Sequence, residues 1–248
     1  MQARAAVKSA KSASQNGNGD ITHAESTAKG KGKSVVLEIP EVQRMEIQVP
    51  VTGMAASDDL IMHRFGPKAR KMMEDIQAGK ARNKKEKRDP KSEFLEAMYV
   101  ASGNPGEKGC VYGMPAAAFK KCIVSACRFV DGLTMVLCRG ALFVISDARE
   151  SRDGTELVTI KTSKVPHMRT DTVRLPNGST DLRYRPGFDK WSAVVTVQYN
   201  TNVITPGAII NLMTHAGFSV GVGDDRPERQ GNNHGRFDVD LKKIEMSA

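Results

Sequence analysis

The stretch GMPAAAFKKCIVSACRFVDG, residues 113 to 132, and the run LTMVLCRGALFVIS that follows it, residues 133 to 146, decide how the chain is read. Pro115 suits a first helical position, where a missing N–H costs nothing. Phe119, Cys122, Ile123, Ala126, Cys127 and Val130 then recur at spacings of three and four, the stripe of an amphipathic helix. Lys120, Lys121 and Arg128 fall off that stripe and face solvent or a ligand. The next run is apolar, with β-branched and aromatic members, and reads as one long strand or two joined near Gly140.

Working outward, Met45, Ile47, Val49 and Val51 alternate with polar residues or proline, the period of a half-buried strand. WSAVVTVQYN, residues 191 to 200, resumes strand character with Trp191, Val195, Val197 and Tyr199 as packing candidates. Thr205 and Pro206 begin a second helix whose stripe is Ile209, Ile210, Leu212, Met213 and Ala216, and Gly217 predicts its stop. GRFDVDL, residues 235 to 241, predicts a last strand with Phe237, Val239 and Leu241 on one side. The order strand, helix, strand, strand, helix, strand is that of a split βαβ, and the expected class is α+β with a ferredoxin-like, RRM-like core. Such a sheet carries both helices on one face and leaves the other open to bases. Two insertions interrupt it, at about residues 66 to 114 and 147 to 190, the latter a polar excursion expected to be a loop or small lobe with little core.

The 248 residues suffice for one domain with tails or insertions, expected over residues 35 to 248. No window approaches the apolar length of a membrane span, and the N-terminus lacks the apolar stretch of a secretory signal, so a cytoplasmic chain is expected. Cys110, Cys122, Cys127 and Cys138 form no CxxC pair, so they read as small core residues or free thiols rather than metal ligands or a disulfide framework. The net charge of +9 is localised: residues 1 to 34 hold six Lys/Arg against two acids, and residues 66 to 91 hold ten against four, so these stretches carry +10 between them and the rest is nearly neutral. A phosphate backbone rewards such runs through counterion release. The first is a tail too poor in apolar residues to fold; the second, with Lys68, can present a charged helical face.

Two further segments could bind a polyanion. GFSVGVGDDRPERQGNNHGRFDV, residues 217 to 239, combines glycines that allow close backbone approach with Arg226, Arg229 and Arg236, and it is neither a Walker loop nor a dinucleotide fingerprint; the alternative is a flexible hairpin whose arginines pair with Asp224, Asp225 and Glu228. Within the excursion, Arg183, Tyr184 and Arg185 belong to an interleaving of arginines with aromatics that fits backbone contact plus base stacking; the alternative is local pairing with Asp171, Asp181 and Asp189. His63 and Arg64 lie just past the first strand. No HExxH, GxSxG or EF-hand pattern occurs, and spacing assigns no catalytic set, metal or cofactor.

The strand leading to DLIMHRF, the helix in YGMPAAAFKKCIVSACR and the glycine-rich GVGDDRPERQGNNHGRF resemble the RAMP superfamily, which supplies backbone subunits of CRISPR effector complexes; the whole chain is also similar to uncharacterised proteins of tailed bacteriophages. The resemblance implies an RRM-like core with an inserted thumb, copies lined up along a nucleic acid strand, Lys120, Lys121 and Arg128 near the strand-binding surface, and Arg226 to Arg236 in the glycine-rich loop. It places His63 beside the first strand. Asp224, Asp225 and Glu228 depart from the expected positive field of that loop. The leading expectation is a non-enzymatic protein that binds single-stranded nucleic acid and self-associates along it. The alternatives are an endonuclease using His63 or His234, and an assembly protein whose basic tail touches nucleic acid.

Overall fold

The computed structural model describes residues 40 to 54, 59 to 80, 87 to 174 and 177 to 247. The basic tail expected over residues 1 to 34 and part of the second basic run lie outside these. In chain order the elements are β1 (Arg44–Gly53), β2 (Leu60–Ile61), α1 (Pro67–Gln77), α2 (Pro90–Glu96), β3 (Val100–Ser102), β4 (Val111–Pro115), α3 (Ala116–Ala126), α4 (Met135–Ala141), β5 (Leu142–Ile145) and β6 (Ala148–Arg149). They continue with β7 (Glu156–Lys161), β8 (His167–Arg174), β9 (Thr180–Phe188), β10 (Ser192–Asn200), α5 (Pro206–His215), α6 (Pro227–Gln230), β11 (Phe237–Val239) and β12 (Glu245–Ser247). The class is α+β, built on a large antiparallel sheet. No described helix is long and apolar enough to cross a membrane.

The main sheet runs β11-β1-β10-β7-β4-β3, with β12 also on β1, β5 on β10 and β6 on β7. Its axis is the antiparallel pair β1 and β10, in register so that Ile47 faces Val197, Val49 faces Val195 and Val51 faces Ala193. All six of these side chains are buried, because strand alternation puts them together on the side that α3 and α5 cover. On α3 the buried positions Phe119, Cys122, Ile123 and Ala126 follow the stripe read from the sequence. Thr205 caps α5 as expected, its hydroxyl accepting from the Ala208 N–H at 3.2 Å. Edge-on contacts from Phe119 to Phe237 and from Phe237 to Trp191 join α3, β11 and the start of β10.

Five expectations need correction. Residues 133 to 146 are not strand throughout: α4 precedes β5, because Thr134 accepts from the Leu137 N–H at 3.2 Å and nucleates a helix that buries Cys138 and Ala141. A short apolar run suits either state, and the cap decided it. The excursion at 147 to 190 is not core-poor. It supplies β7, a central strand with Leu157, Val158 and Ile160 buried, and a second sheet of order β2-β9-β8 whose Phe188 enters the same core. Part of the 66 to 114 insertion is likewise sheet, since β4 pairs β7 from Tyr112 opposite Ile160 to Pro115 opposite Leu157.

Gly217 does not stop the second helix. A π-helical turn, Ala216–Val220, carries it on to Gly221, and Gly217 is there because a side chain would overlap the Phe237 backbone. Leu241 is exposed instead of facing the core, because Asp240 accepts from the Lys242 N–H at 3.2 Å and turns the chain out of the strand. Gly217→Ala therefore forces β11 away from the helix end. Urea denaturation is expected to show a loss of about 1–3 kcal/mol with no change in far-UV signal.

Candidate nucleic-acid interface

Ala117, Lys120, Lys121 and Ser125 lie on α3 away from its most buried positions, beside Val124 at the edge of the core and Arg128 in the turn that follows the helix. They form one wall of a groove of about 640 Å³, completed by Met135 and Arg139 of α4 and by Arg226, Glu228 and Arg229 at α6. Six of these lining residues are cationic and one, Glu228, is acidic. Glu228 pairs with Arg128 at 3.3 Å and with Arg226 at 3.2 Å, so it spans the two walls. Lys120 lies 3.7 Å over the Phe143 ring. Partial burial, with the like charge of Arg139, holds its ammonium below the ordinary lysine range.

Two further concavities adjoin this groove in turn. A cavity of about 360 Å³ shares Ala117, Lys121 and Arg226 with it and adds His63, Gly223 and Asp224. A third, of about 490 Å³, shares His63 and is lined by Arg64, Phe65, Arg88, Arg183 and Tyr184 together with Asp89, Glu93, Glu96 and Asp181. His63 thus stands between the second and third concavities, with Nδ1 buried and without a hydrogen-bond partner. Burial lowers its pKa against the pull of Asp224, so the imidazole is neutral at pH 7.

Charge in the lobe beyond is balanced. Arg185, 1% exposed, donates to Asp171 at 2.8 Å and to Asp224 at 2.5 Å. Burial by itself would raise both carboxyls, but their arginine partners hold them below the usual carboxylate range. Arg169 bonds Asp59 and Asp171, and Arg88 bonds Glu93 and Asp181. Asp59, His167 and Asp189 are the one group of described residues close enough together to hold a metal ion, yet Arg169 already approaches Asp59 at 3.3 Å and supplies the positive charge an ion would bring.

Of the residues singled out from sequence, Lys120, Lys121, Arg128, Arg226 and Arg229 line the first groove. His63, Arg64, Arg183 and Tyr184 line the third concavity, where Arg64 is buried against Asp153 at 2.8 Å. Arg185 lines none of these; it holds the lobe together, as the local-pairing alternative required for Asp171. Arg236 stacks 4.9 Å over Phe218 and donates to its carbonyl. Lys68 lies on α1, and its side chain is outside what the structure describes.

Arg139 went unnoticed because its segment read as strand; as helix, the cap at Thr134 puts it beside Lys120. The face of the central strands away from the helices carries Glu46, Gln48, Thr52, Val194, Thr196 and Gln198, with Arg44 at one end of β1 and Phe143 of β5 opposite Gln198. The larger cluster of cations, Lys120, Lys121, Arg128, Arg139, Arg226 and Arg229, sits on the helix side. No family model matches the chain, and no curated protein matches it.

Arg185→Ala removes the guanidinium shared by two carboxylates, leaving Asp171 to Arg169 and Asp224 to the more distant Arg183, and is expected to cost about 3 kcal/mol at pH 7. The folded pKa values of Asp171 and Asp224 are depressed, so their contribution to the native protein is present above about pH 4 and lost as pH falls through the folded values. Urea midpoints measured from pH 7 to pH 3 should therefore show the gap between variant and native protein narrowing in acid.

Proposed function

We propose that the chain is a non-enzymatic protein that binds single-stranded nucleic acid along the groove between α3 and the loop of residues 221 to 236. The observation that carries this reading is that three concavities adjoin through shared lining residues, with six cations against one carboxylate in the first and His63, Phe65 and Tyr184, beside four carboxylates, in the third. Phosphates meet the cationic end, where guanidinium and ammonium groups replace their counterions. Bases meet the aromatic end, where rings stack without regard to sequence. No cofactor enters this mechanism.

The core is read as a split βαβ, a view supported by the order β11-β1-β10-β5 with α3 and α5 as crossovers. Kinship with the RAMP superfamily, a tailed-phage origin and assembly of copies along the strand belong to the same proposal and rest on the three resembling segments. The double variant Lys121→Gln/Arg226→Gln tests it, since both residues line the first two concavities. By fluorescence anisotropy on a 20-nucleotide single strand it should bind about tenfold or more weakly, and its slope of log K against log salt should be shallower by roughly 1.4, two phosphates at about 0.7 each. Undiminished affinity would move the binding to the basic tail.

A specific observation favours one second reading, a nuclease. His63 is neutral, has an unsatisfied nitrogen and shares its cavity with Lys121 and Arg226, a base beside two anion-stabilising cations. Cleavage of an RNA strand by the purified protein that disappears in His63→Ala, with binding retained, would establish it. Intact RNA with both proteins would leave the binding reading alone.

A further inference from the structure

We propose, on the nucleic-acid reading of this groove, that Glu228 occupies the place of a phosphate between the two walls, and that it reserves the groove for a polyanion by excluding free phosphate and single nucleotides. Each of its oxygens meets a guanidinium from a different wall: Oε1 lies 3.3 Å from Arg128 Nη1, and Oε2 lies 3.2 Å from Arg226 Nη2. A phosphodiester offers the same pair of terminal oxygens to the same pair of arginines. The carboxylate is ionised at neutral pH. Burial works against its charge, but hydrogen bonds from Ser125 and Arg226 and the field of Arg128 more than offset this.

A tethered anion competes at a fixed local concentration, on the order of millimolar or above. A lone phosphate gains two arginines only by displacing an equivalent group and so gains little. A strand that enters the groove also reaches Lys120, Lys121, Arg139 and Arg229, which lie outside the ion pairs of Glu228, and those extra contacts offset the displacement. Arg226 keeps its second donor on the Gly223 carbonyl at 3.0 Å, so the wall stays in place when the carboxylate leaves.

The test uses the full chain and Glu228→Gln, with inorganic phosphate by calorimetry and a 12-nucleotide single-stranded DNA by anisotropy, after thermal melting has shown both proteins folded. Removal of the carboxylate should tighten phosphate by about tenfold and DNA by clearly less, with the salt slope for DNA steepened by no more than roughly 0.7. Equal tightening of both would leave selectivity unchanged and overturn the proposal. Glu228→Asp, which keeps the charge and shortens the reach, should fall between. Unchanged or weaker phosphate binding in a folded Glu228→Gln protein overturns the proposal, and if the native protein still binds DNA, the nucleic-acid reading survives it. If Glu228→Gln gains phosphate while neither protein binds DNA or RNA, the role of Glu228 stands and the nucleic-acid reading falls.

Discussion

A guanidinium with almost no solvent exposure, that of Arg185, stands between Asp171 of β8 and Asp224 of the loop that leads to α6. Desolvating three charges is expensive, and such a cluster persists only when each group is met in good geometry. Here that requirement ties the second sheet to the loop. Asp224 is further held by its N–H to the Ile61 carbonyl at 2.9 Å, and Gly223 has no side chain because Ile61 comes too close for one. Two residues on, Arg226 emerges at the rim shared by two of the concavities. The wall of the groove is therefore positioned by an ion pair that ties its loop to the second sheet.

This arrangement separates two uses of arginine within one protein. In the lobe, Arg88, Arg169 and Arg185 are each satisfied by carboxylates and serve the packing of β8 and β9. Along α3 the cations greatly outnumber the acids, which costs stability through mutual repulsion and leaves a field for a polyanion. Glu228 lies where these two regimes meet, quieting part of the groove when no ligand is bound.

Much of the cationic wall was legible because a helix has only one period. Once Phe119, Cys122, Ile123 and Ala126 are assigned to the core, Lys120, Lys121 and Arg128 have nowhere to go but outward. The glycine-rich loop was legible as a place where the backbone comes close to something, though that something includes Ile61 of its own chain. Arg185 was not separable from Arg183 by sequence, since both sit among aromatics and aspartates and share one face of β9, and only the loop that brings Asp224 onto Arg185 buries one and leaves the other at the third concavity. The strands of the excursion were hidden by their polar faces: β8 alternates exposed with half-buried residues and never shows an apolar side.

By itself, then, the sequence determined the mixed class, the two amphipathic helices, the central strands and the localisation of positive charge, because hydrophobic period and local capping act within a few residues. Tertiary structure decided which side of the sheet carries the cations, which arginines are silenced by carboxylates and which concavities join. Those outcomes depend on distances between segments far apart in the chain, and an ion pair such as Arg185 with Asp224 leaves no mark at either position alone.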